Sequence, residues 1–75
     1  MPDLPRVSGD QAICALERLG FTQVRQRGSH VVLKRATADG ERGCVVPRHR
    51  ELATGTLRGI LRQADVSRED FIAGL

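Results

Sequence analysis

The chain has 75 residues, a net charge of +3, two cysteines and two phenylalanines, and neither Trp nor Tyr. A chain this short buries only about 60% of the surface its unfolded form exposes, which leaves no room for a separate cofactor domain or a deep cleft. Function is therefore expected on an exposed face or in a shallow groove of one domain spanning residues 1–75.

Residues 1–6 carry two prolines and read as a loose lead-in. Ser8 with Gln11 three residues on makes a capping box, and Val7 is placed to staple onto Ala12. Ala12, Ile13, Leu16 and Leu19 then follow at helical spacing up to Gly20, which predicts a helix over about residues 9–19. Phe21 to Arg27 reads as a one-sided or edge strand, with Thr22, Val24 and Gln26 alternating against Phe21, Gln23 and Arg25. Gly28-Ser29 supplies a turn. His30 to Arg35 is a better strand: Val31 and Leu33 share one face, and His30, Val32 and Lys34 share the other. If the first face meets the helices, His30 and Lys34 project from the open one.

Ala38-Asp39-Gly40-Glu41 predicts a hairpin connection, because Asp-Gly suits the positive backbone angles of such turns. Arg42 to Val46 is a third strand, stopped by Pro47. Arg48 to Ala53 reads as an exposed loop. Thr54 or Gly55 caps a second helix over about residues 56–64, with Leu57, Ile60, Leu61 and Ala64 inward and Arg58 and Arg62 outward. Ser67 with Asp70 opens a short terminal helix whose Phe71 and Ile72 close the core. The order helix, three antiparallel strands, helix, short helix defines a two-layer α+β sandwich.

Charge is unevenly spread. Residues 18–50 hold eight basic residues (Arg18, Arg25, Arg27, Lys34, Arg35, Arg42, Arg48, Arg50) against Asp39 and Glu41, while the rest holds four against seven acids. A basic middle on a near-neutral frame suits a phosphate-bearing partner, since guanidinium forks match phosphate oxygens in pairs. A solvated sheet face with no partner fits the same pattern. Cys14 and Cys44 lack metal-ligand spacing and read as two small buried residues of a reducing compartment. The proline-broken start and the lack of a long apolar run predict a soluble cytoplasmic protein with no membrane contact.

Taken together, Val7-Ser8-Gly9, Leu16 to Phe21, Arg25-Gln26-Arg27-Gly28-Ser29-His30, Val45-Val46-Pro47 with His49, and Gly55 to Ala64 resemble the HicA family of toxins from bacterial toxin–antitoxin systems. The resemblance implies a double-stranded-RNA-binding-like fold turned to ribonuclease work on messenger RNA, with a HicB-type antitoxin as partner. The family's functional histidine falls on His30. Arg48 stands where a small or apolar residue is commoner in that family.

Cleaving RNA through its own 2′-hydroxyl needs a base, an acid and positive charge on the phosphate, and needs neither a metal nor a small-molecule cofactor. Histidine as a residue type titrates near neutrality and suits either proton transfer. Arg25, Arg27, Lys34 and Arg48, with the backbone amides of Gly28 and Ser29, are the expected RNA contacts. Glycine at position 28 would let a substrate approach the backbone closely. By spacing alone His30 also fits an ordinary strand histidine, and His49 fits either a second proton carrier or a solvated loop residue. A non-catalytic RNA-binding module of the same fold, or a pure protein-interaction domain, are the alternatives. Without exposed aromatic platforms, recognition is expected to follow backbone and shape.

Overall fold

A computed structural model describes residues 3–75 and orders them as α1 (Gly9–Arg18), β1 (Thr22–Arg27), β2 (His30–Thr37), β3 (Gly40–Pro47), α2 (Thr54–Ala64) and α3 (Arg68–Gly74). The start of the lead-in, residues 1–2, lies outside the described residues, and residues 3–6 hold no regular structure. The capping box forms as the sequence predicts: Ser8 Oγ accepts the Gln11 N–H at 3.0 Å and Gln11 Oε1 accepts the Ser8 N–H at 2.8 Å. Val7 and Ala12 are both buried, as a staple requires. At the other end Gly20 takes φ +99°, its N–H reaches the Glu17 carbonyl, and the Phe21 N–H reaches that of Leu16. This paired closure turns Phe21 into the core and starts the first strand one residue later than alternation suggested.

The strands form one antiparallel sheet in the order β1-β2-β3. Strands β2 and β3 are longer than the sequence predicted, because the connection between them is only Ala38-Asp39 and Thr37 already pairs with Gly40. One face supplies Val31, Leu33, Cys44 and Val46 to the core, and Leu57, Ile60, Leu61 and Ala64 of α2 meet it. Helix α3 lies against α1 and buries Phe71, and Arg18 Nη1 donates to the Gly74 carbonyl at 2.7 Å. The predicted α+β order is therefore the observed one.

Three local expectations are corrected. Neither Thr54 nor Gly55 caps α2: the cap position is Ala53, which has no side-chain oxygen to offer, and the helix begins at Thr54. The loop after β3 is not wholly exposed, for Leu52 is buried and its N–H bonds the Val7 carbonyl at 2.8 Å. Cys44 is buried as expected, but Cys14 is exposed. It sits about 200° around the helix from Ala12, off the buried stripe. There it lines a shallow groove with Asp10, Gln11, Arg18 and Leu75. Among the described residues no helix is long and apolar enough to cross a membrane.

Candidate functional site

The Gly28-Ser29 corner is a two-residue hairpin loop between β1 and β2, with Arg27 paired to His30 across it. Gly28 has φ +55° and Ser29 does not share a positive angle, which suits a loop with glycine at its first central position. Nothing in the protein lies near where a Gly28 side chain would sit, so the positive φ is the structural reason for glycine here. Gln26 Nε2 donates to the Gly28 carbonyl at 2.9 Å and steadies the loop from the β1 side.

Register decides which side chains meet. His30 lies opposite Arg27 on one side and Pro47 on the other, and Val32 lies between Arg25 and Val45. Directly opposed residues project to the same face, so Arg25, Arg27, His30, Val32 and Val45 share the face turned away from the helices. This grouping departs from the strict alternation read from the sequence, which put Arg25 with Gln23. The register shifts between Gln23 and Arg25, leaving Val24 as an extra residue. One extra residue flips every side chain beyond it, and that flip carries Arg25 and Arg27 onto the face of His30.

The other expected contacts are placed differently. Lys34 shares the open face with His30, but four residues along a strand separate them by about 13 Å. Its Nζ lies 3.6 Å from Glu41. Arg48 is engaged on the helix side of the sheet end. Its Nε donates to Asp10 Oδ1 at 2.7 Å, its Nη1 to Gln26 Oε1 at 3.1 Å, and its backbone N–H to the Ser29 carbonyl at 2.7 Å. His49 has an exposed side chain, and its carbonyl accepts the Gly9 N–H at 2.8 Å. Asp10 and Gln26 were not singled out from the sequence. Their roles depend on a residue 38 and 22 positions away respectively, and local spacing carries no signal of that. A second basic group, Arg58, Arg62 and Arg68, surrounds a groove floored by Leu4, Leu61 and Val66. Only its helical i, i+4 pair was visible beforehand.

The chain is thus a small α+β domain presenting one histidine at the end of an open sheet, beside two arginines. The family model for the HicA toxin of bacterial toxin–antitoxin systems matches residues 9–66, from the first residue of α1 to just past α2. The chain belongs to the HicA toxin family. No curated protein matches it.

Proposed function

We propose that this toxin is an endoribonuclease that cleaves messenger RNA, with His30 as its general acid or base and a HicB-type antitoxin as its inhibitor. The observation that carries the reading is the register that sets Arg27 directly opposite His30, with Arg25 in the next row of the same face. The ribose 2′-hydroxyl attacks the adjacent phosphorus as a base takes its proton. The bond to the 5′-oxygen breaks as an acid protonates it, leaving a 2′,3′-cyclic phosphate and a 5′-hydroxyl. His30 is exposed, so its imidazole is open to either proton. The Arg27 guanidinium offsets the charge that grows on the phosphate oxygens. Arg25 and Lys34 hold flanking phosphates, and the Gly28 and Ser29 amides lie at the corner nearest the scissile one. Because the nucleophile belongs to the substrate, the reaction requires no metal or cofactor.

The same face suits an antitoxin. Val45 is 40% exposed beside the half-buried Val32 and the arginine row, so an acidic surface with an apolar centre would cover it. A substrate of messenger RNA places the work in the cytoplasm.

Purified protein incubated with RNA and excess chelator tests the proposal, alongside His30→Ala. Cleavage by wild type with at least a hundredfold loss in the variant is the expected result. Intact RNA, or a variant as fast as wild type, would sink it. Retained binding without cleavage by either protein would favour the non-catalytic RNA-binding module.

A further inference from the structure

We propose that Arg48 is a positioning residue that braces the Gly28-Ser29 corner against α1, and that it is not a phosphate contact; the proposal rests on His30 being the reacting group. Both carbonyls of the corner are held by one connected set of bonds. The Arg48 N–H donates to the Ser29 carbonyl at 2.7 Å, and Gln26 Nε2 donates to that of Gly28 at 2.9 Å. The Arg48 guanidinium joins the two, donating to Gln26 Oε1 at 3.1 Å and to Asp10 Oδ1 at 2.7 Å. Asp10 is itself well anchored, because its neighbour Gly9 packs directly on the Pro47 carbonyl and donates to the His49 carbonyl at 2.8 Å. The brace thus runs from the first turn of α1 through Arg48 to the two residues that precede His30.

Charge and placement both argue against a phosphate role. Gln26 lies opposite Val31, so it faces the helix side of the sheet, and the Arg48 fork that reaches it points away from the open face. The Asp10 carboxylate at 2.7 Å offsets the guanidinium's charge toward any incoming anion. An ion pair with side chains 40% and 65% exposed contributes little to global stability, so its value lies in fixing a corner that would otherwise fray. Lysine cannot replace this arginine, because a point charge cannot hold Asp10 and Gln26 as one planar fork.

Asp10→Asn, Arg48→Gln and Arg48→Lys in the full chain, compared with wild type, separate the two roles. As a brace, all three variants lose kcat by about tenfold or more, because small displacements of a reacting group are costly. KM and the salt dependence of RNA affinity stay put. The backbone amides of Gly28, Ser29 and His30 show lower NMR order parameters without RNA, while the melting temperature moves little. As a phosphate contact, Asp10→Asn would instead tighten RNA binding, and Arg48→Gln would flatten the log–log salt slope by about 0.7. Either of those results, or unchanged order parameters in Arg48→Gln and Arg48→Lys, overturns the brace. The NMR readout needs no cleavage. If His30→Ala proves fully active, the reading of His30 falls while the order parameters still judge the brace.

Discussion

Gly9 sits where a Cβ would overlap the Pro47 carbonyl and crowd the Arg48 backbone. These are backbone atoms on a segment already hydrogen-bonded to α1, so they cannot step aside as a flexible side chain would. Gly9→Ala should therefore destabilise the fold by about 1–3 kcal/mol, as overpacking a tight contact does, with the loss read from urea unfolding midpoints. The sequence marked Gly9 only as part of a helix start. Its real constraint comes from a strand end nearly 40 residues later, beyond the reach of periodicity.

The two cysteines give a second test at this scale. Burial pushes the Cys44 thiol from 9.0 up to about 11, whereas Cys14 is exposed. A maleimide reagent at pH 7.5 should label one site in the folded protein and two after unfolding; two fast-labelling sites in the folded protein would contradict the core packing. The shift also carries a sign for stability. Below about pH 9 both the folded and the unfolded thiol are protonated and stability is full; between about 9 and 11 the unfolded thiol ionises while the folded one keeps its proton, so stability falls as pH rises. The loss is on the order of 3 kcal/mol across the window and should vanish in Cys44→Ala.

At the scale of the element, β1 is the part of the fold least legible in the sequence and the part that matters most for the site. All six of its residues are exposed, so no buried side enforces a two-residue period. Helix α1 and strand β2 were legible for the opposite reason: a capping box and a closing glycine bound the one, and Val31 and Leu33 fix the face of the other. Thr54 misled because a threonine before an apolar stripe resembles a cap, yet the backbone turns helical one residue earlier. The bulge at Val24 has a direct consequence. Deleting Val24, which is 52% exposed and outside the core, costs little burial. It restores plain alternation, and if the pairing of Thr22 with Lys34 holds, Arg25 still meets Val32 and Arg27 still meets His30 on the open face. The deletion should fold and keep most of its RNA affinity, measured by fluorescence anisotropy. A large loss of affinity with a native-like spectrum would show that Val24, or the twist its bulge gives β1, belongs to the RNA surface beside the arginine row.

Over the whole molecule, counting basic residues overstates the charge available to a phosphate chain. Of the eight basic residues between positions 18 and 50, Lys34 pairs with Glu41, Arg42 with Asp65 and Arg48 with Asp10. Arg35 lies 4.7 Å from the centre of the Phe21 ring and donates to the Leu19 carbonyl, so it finishes α1 and does not project as a free cation. Arg18 is tied to the Gly74 carbonyl. Composition located the basic middle correctly but could not see this internal pairing, since the Arg42–Asp65 and Arg48–Asp10 partners lie far apart in the chain. Among the described residues, Arg25 and Arg27 form the part of that group that is on the open face without an ion pair.

A single-stranded RNA held by so few cations should show a shallow salt dependence, with a log–log slope of roughly −1.4 to −2 for two or three phosphates. The measurement is binding by the His30→Ala protein, which leaves the substrate whole, at several salt concentrations. Arg25→Gln with Arg27→Gln should remove about 1.4 from the slope, whereas Arg42→Gln should leave it unchanged. A much steeper wild-type slope, surviving the double substitution, would move the RNA to another surface. The groove framed by Arg58, Arg62 and Arg68 on the helical layer is then the next place to substitute, since none of those three is ion-paired among the described residues.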